Sequence, residues 1–329
     1  MTLTAFSAQP EQWKARVLGA ICFAADAAAI DEIPCILGPE ADGAPCEIWL
    51  SQADAASGHS GAIRYRHTDA MLFGVITLPE AGQDDAAPPL QQLTESAYRQ
   101  IGMLLEALNY PQLYRVWNYM ADINGISHGL ERYRQFNLGR QQGLLACGRD
   151  VAGDLPAACA LGMAAGPLTI AFLAGRIPSQ AIENPRQISA YDYPPLYGPR
   201  SPTFARATLL RLPQDELLFI SGTASIVGHQ TMHPDDVVAQ TREMLANLQT
   251  LIAEANRHAS RAGFTLEKNV YRVYVRNAAD MAAVQAEMAR RLGPEVNALI
   301  VRADICREDL LVEIETTAEL ACTSMPAQS

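Results

Sequence analysis

Two glutamates, Glu313 and Glu315, stand in the otherwise apolar run Leu310-Leu-Val-Glu-Ile-Glu315. The alternation predicts a strand from Leu310 to Thr316 in which both carboxylates share the face of Leu311. A carboxylate enclosed by sheet and helix loses its hydration, so its pKa rises and it becomes a proton donor near neutral pH. The pattern fits equally well two glutamates on the solvent face of an edge strand, and periodicity does not choose between them.

Two segments in the middle of the chain gather guanidinium groups. Glu131-Arg-Tyr-Arg-Gln-Phe-Asn-Leu-Gly-Arg140 would put Arg132, Arg134 and Arg140 on one face if it were extended. In Tyr191-Asp-Tyr-Pro-Pro-Leu-Tyr-Gly-Pro-Arg-Ser-Pro-Thr-Phe-Ala-Arg206, Pro and Gly stiffen a loop that presents phenols beside arginines. Arginine forks bind carboxylates bidentately, and tyrosines add an apolar wall with a hydrogen-bonding tip. The pattern points to a small polycarboxylate; the alternative is that these arginines pair with nearby acids on the surface.

Other chemistries have weaker support. His229 and His233 are four apart but lack the intervening Glu of a zincin and precede Pro234 in a loop, so no metal site is expected. There is no G-x-G-x-x-G after a strand, no G-x-x-x-x-G-K-[ST] and no G-x-S-x-G, which argues against nucleotide-dependent and serine-hydrolase chemistry.

The 329 residues are 49% apolar and 19% charged, a globular composition with enough chain for one or two cores. The net charge of −11 leaves no basic surface for nucleic acid, although arginines outnumber acids between residues 111 and 211. Seven cysteines without C-x-x-C spacing, and an N-terminus without an export signal, fit a reducing cytoplasm. The uncharged run from Leu155 to Gly175 is broken by Pro and Gly and reads as buried core and turn rather than a membrane span.

The elements that must hold these residues are clearest in the C-terminal third. Strands are predicted at 216–222, 270–276, 298–305 and 310–316, with helices opening at Pro234-Asp-Asp236 and covering 281–292. An upstream echo places a strand at 71–78, a helix at about 90–108 and a strand at 113–120. Leu113-Tyr-Arg-Val-Trp-Asn-Tyr119 matches Val270-Tyr-Arg-Val-Tyr-Val-Arg276. Two related α+β halves follow, each a mixed sheet with helices on one face. The expected boundaries are 1–125, an Arg/Tyr-rich central segment at 126–207, 208–320, and a tail at 321–329.

The region from Phe219-Ile-Ser-Gly222 through Gln240-Thr-Arg242 to Leu311-Val-Glu-Ile-Glu315 resembles the small trimeric Rid (YjgF) fold. With Tyr197-Gly-Pro-Arg-Ser-Pro-Thr-Phe-Ala-Arg206, Ile220-Ser-Gly-Thr-Ala-Ser225 and Glu131-Arg-Tyr-Arg-Gln-Phe136, the whole chain resembles the chorismatases, which have a Rid-like core. Leu299 stands where Rid deaminases keep a substrate-binding Arg, which counts against deamination. The resemblance implies a cofactor-free reaction on chorismate, with Glu313 protonating the enolpyruvyl ether so that pyruvate is lost. It further implies that Arg134, Arg140 and Arg200 bind the two carboxylates, away from Glu313, with Tyr193 and Tyr197 walling the ring. Cys306, seven residues before Glu313, resembles the hydroxybenzoate-forming subtype, whereas Ala224 resembles the hydrolytic one. The resemblance is strongest to members making 3- and 4-hydroxybenzoate for pigment and ubiquinone, and it is compatible with either a monomer or a homotrimer.

Overall fold

The computed structural model describes residues 1–23, 33–39, 41, 43–80, 89–260 and 263–321. Helices α1 (Leu3–Ser7) and α2 (Glu11–Ala15) lead into a small sheet of β1 (Val17–Cys22), β2 (Cys35–Leu37) and β3 (Cys46–Leu50). Cys22 and Cys46 are register partners on β1 and β3 and are joined by a disulfide, which the odd cysteine count did not predict.

The N-terminal half continues with β4 (Ala56–Ser60), β5 (Ile63–His67), β6 (Met71–Leu78), α3 (Leu90–Ala107) and β7 (Gln112–Ala121). A hairpin of β8 (Ile126–Ser127) and β9 (Leu130–Glu131), then α4 (Arg132–Ala146), β10 (Ala157–Met163) and β11 (Leu168–Gly175), complete it. The C-terminal half comprises β12 (Ser179–Ile182), β13 (Ala207–Arg211), β14 (Asp215–Ala224), the hairpin β15 (Ile226–Val227) and β16 (Gln230–Thr231), and α5 (Val237–His258). It closes with β17 (Val270–Val275), α6 (Met281–Leu292), β18 (Ala298–Arg302) and β19 (Val312–Ala321).

The two six-stranded sheets have one topology, β4-β5-β6-β11-β7-β10 and β12-β13-β14-β19-β17-β18. Each inserts its last strand into the middle, and each ends on a parallel pair, β7 with β10 and β17 with β18. Parallel neighbours require a crossover, which α4 and α6 supply. The repeat that one short sequence match hinted at therefore extends over both halves.

Strand alternation divides the apolar residues of the two large sheets into three cores, and a fourth, smaller one around β1 and β3 holds Phe6, Val17, Ala20 and Cys46. Trp117, Tyr119, Cys159 and Phe73 from one sheet meet Phe219, Ala224 and Tyr274 from the other, so the sheets pack face to face. Val116, Met120 and Phe172 face α3, while Leu218, Val273 and Ile314 face α5 and α6. The order is helices, sheet, sheet, helices, and every central strand is covered on both sides.

The run from Leu155 to Gly175 is buried core and turn, built of the two strands β10 and β11. Two expectations need correction. Arg132 to Arg140 lies in helix α4, so its arginines diverge instead of sharing a face. Leu311 precedes β19 and packs with the helix-side core, opposite Glu313 and Glu315, because alternation holds only within the strand. Among the described residues no helix is long and apolar enough to cross a membrane.

Candidate active site

Glu313 sits in β19, with Ala224 of β14 and Tyr274 of β17 as its register partners. Its parity turns the carboxyl into the space between the sheets, where it is 4% exposed and lines a cavity of about 640 Å³. Gly222 on β14 is what makes room: a Cβ there would fall 2.7 Å from Glu313 Cδ. Burial, reinforced by the charge of Glu315 and opposed by Arg115 and Arg206, pushes Glu313 up to about 8. At neutral pH the group is mostly a carboxylic acid, a form that can donate its proton.

Two arginines are close enough to act on Glu313, contrary to the expectation that it would lie away from guanidiniums. Burial outweighs them, and Arg115 is already bound to Glu315. Glu315, also on the inter-sheet face, differs sharply from its neighbour. It accepts from Arg115 of β7, from Arg272 of β17 and, at 2.9 Å, from the Tyr274 hydroxyl. Burial raises its pKa, but Arg272 and Arg115 outweigh that and hold it below the usual carboxylate range.

Above Glu313 the cavity wall is a stack of alternating cations and rings. The Phe204 ring lies 5.3 Å from the Arg206 guanidinium, which is 5.5 Å from Tyr193. The Arg307 guanidinium follows at 5.2 Å from Tyr193 and 3.9 Å from Tyr197. Rings hold the cations through their π faces, and among the described residues neither Arg206 nor Arg307 makes a salt bridge. Arg206 is buried, donates to Ile188 O at 2.7 Å and Tyr193 Oη at 2.9 Å, and leaves Nε without a partner. These charges remain available to an anion.

The expected site residues divide accordingly. Glu313, Tyr193, Tyr197, Arg134, Ala224 and Cys306 all line the cavity. Arg134 lies at the rim, paired with Glu131 at 2.8 Å. Burial pushes the Cys306 thiol up to about 12, so it is present as the neutral thiol. Arg200 is exposed and outside the lining. Arg140 is buried behind Phe204, 6.0 Å from that ring, and does not reach the cavity. Arg206 and Arg307 line the cavity where these two do not. Arg206 closes the stiff loop already singled out, whereas Arg307 is in a charged turn that sequence alone shows only as a connector.

The histidines have separate partners. His229 Nδ1 is 3.0 Å from Tyr197 Oη, and His233 Nε2 is 3.3 Å from Glu243. Leu299 is on β18, opposite Arg272, outside the cavity lining.

Residues 47–174 match the family model "Chorismatase FkbO/Hyg5-like, N-terminal", and residues 208–320 match "Endoribonuclease L-PSP". A chorismatase of Streptomyces hygroscopicus is 41% identical over 279 residues, covering 83% of this chain and 79% of the relative. This chain belongs to the chorismatase family. Another family relative, a 3-hydroxybenzoate synthase of the same species, is 37% identical over 279 residues, covering 82% of this chain and 80% of the relative. The crystal structure of a chorismatase superposes with a TM-score of 0.86 at 37% identity, covering 94% of this chain and 96% of that one. The chorismatase fold thus accounts for both halves, the C-terminal one being Rid-like.

Proposed function

We propose that this chorismatase converts chorismate to pyruvate and 3-hydroxybenzoate, with Glu313 as the general acid. The observation that carries the reading is a buried carboxyl, pushed up to about 8, at the floor of a cavity walled by Arg206 and Arg307, which make no salt bridge among the described residues. Chorismate is a dicarboxylate with an enolpyruvyl ether. Proton transfer from Glu313 to the ether's methylene carbon gives an oxocarbenium ion and leaves the glutamate as a carboxylate. The ring hydroxyl on the neighbouring carbon, losing its proton, then attacks the carbon that bears the ether as that carbon–oxygen bond breaks, which releases pyruvate and leaves an epoxide. Opening of the epoxide at the carbon that first carried the hydroxyl, with loss of the proton from the other carbon and protonation of its oxygen, gives 3-hydroxybenzoate; no net water is consumed.

Arg206, Arg307 and Arg134 are assigned to the two carboxylates, and Tyr193 and Tyr197 to the ring faces. Holding a dianion in this way fixes the ether against the acid, turning binding energy into orientation. Cys306 and Ala224 shape the floor beside Glu313. The enzyme is assigned to the cytoplasm, and its chemistry needs only a proton donor and a cationic cleft.

The test is to mix the purified protein with chorismate and follow pyruvate and the ring product by chromatography. Pyruvate with 3-hydroxybenzoate is expected, with 4-hydroxybenzoate as a possible second product, and Glu313→Gln should fold yet release no pyruvate. Pyruvate with a non-aromatic dihydroxy acid would instead identify a hydrolase. Chorismate that stabilises the protein but stays intact would identify a binding protein.

A further inference from the structure

Behind the acid lies a charged circuit that the proposed reaction does not touch. Glu315 accepts from Arg115 and Arg272, and Arg272 also donates to Glu47 of β3. Glu47, Arg272, Glu315 and Arg115 thus form a chain of two acids and two bases whose charges cancel. Tyr119 and Tyr274 close it, their hydroxyls 2.9 Å apart and 3.1 and 3.2 Å from Arg272. The two arginines are structural counterparts. They occupy matching Tyr-Arg-Val triplets on β7 and β17, which hold the same place in the two sheets, yet both address one glutamate.

We propose that Glu315 is a positioning residue for the reaction: by neutralising the paired arginines of the two sheets, it keeps Glu313 in its acid form. The inference rests on the reading of Glu313 as the general acid. Buried charge must be balanced locally, and an uncompensated guanidinium beside Glu313 would favour its carboxylate. The other titratable groups bearing on Glu313 are Arg206 from the loop before β13, Cys159 from β10, Cys306 from the β18–β19 connection and Tyr133 from α4. Arg206 is the only one of them that carries charge at neutral pH. The circuit therefore decides how far the charge of Arg115 acts on the acid uncompensated.

The test is the pH dependence of kcat/KM for pyruvate release, which reports the free enzyme's essential acid. Glu315→Gln removes a negative charge and should move the alkaline limb to lower pH by about one unit, a roughly five-fold loss at about pH 8 relative to about pH 6 that approaches ten-fold at higher pH. Glu47→Gln, at the partly exposed end of the circuit, should move it the same way by less. Arg115→Gln removes a positive charge and should move the limb to higher pH. A merely structural role would lower activity at all pH values and give no such opposition of sign. Limbs that stay put, or move alike in the glutamate and arginine variants, would overturn the inference. If Glu315→Gln does not fold, the opposed signs of Glu47→Gln and Arg115→Gln decide it. Pyruvate release by Glu313→Gln would instead overturn the reading of Glu313 itself, whereas an inactive Glu313→Gln with unmoved limbs would overturn only the role of Glu315.

Discussion

Ionising Glu313 in the folded chain costs more than in the unfolded one, because the folded group titrates near 8 and the unfolded group near 4.5. Between these values the folded state holds a proton that the unfolded state has released, so stability falls as pH rises through this window and levels off above it. Glu313→Gln removes the penalty. Thermal melts should show the variant equal to the parent at about pH 4 and more stable at about pH 8, by roughly 3 to 5 kcal/mol. An equal gap at both pH values would show that the carboxyl is not held protonated by burial. The arginines give a second residue-level expectation. Arg206→Gln and Arg307→Gln should each lower kcat/KM at least about ten-fold by removing charge-assisted bonds to a carboxylate. Arg200→Ala, on the solvent side, should leave it within about two-fold in the same steady-state assay.

At the scale of elements, β14 and β19 make the site by holding Gly222 against Glu313. Gly222→Ala should displace the carboxyl and lower kcat at least about ten-fold while the circular dichroism spectrum stays unchanged. Strand β19 was legible because its apolar and polar residues alternate, β14 because it is an apolar run that ends on Gly222, and α3, α5 and α6 because their apolar residues keep the helical period. Helix α4 was not. It buries Arg132, Gln135, Asn137 and Arg140, and it approaches α3 through Gly139 and Gly143, where a Cβ would fall 2.8 Å from Thr94 Cβ and 2.6 Å from Tyr98 Cβ. A helix seated through glycine and buried polar groups carries almost no apolar stripe, so its arginines looked like an extended cluster. Strands β10 and β11 were hidden for a related reason: buried on both faces, they read as one apolar run. Arg307 illustrates the remaining gap, since only the folded loop brings it onto Tyr197.

At the scale of the molecule, the cavity takes lining from both halves of one chain: Tyr133 and Arg134 from α4, and Gly222, Ala224 and Glu313 from the C-terminal sheet. One chain is expected to suffice for activity, so specific activity should stay constant on dilution well below the concentration at which any larger species is seen by sedimentation. Activity that falls with dilution would require a partner copy. The duplicated topology also frees the two halves from having to match. In a dimer of identical subunits, every group on one side of the axis must recur on the other, so an acid at the centre would face its own copy. Here, Ala171 and Leu173 of β11 lie opposite Trp117 and Arg115, whereas Glu313 and Glu315 of β19 lie opposite Tyr274 and Arg272. Covalent fusion has broken the symmetry: one copy keeps the reacting strand, and the other has an apolar strand in its place, lending Arg115 across the seam and Arg134 at the cavity rim.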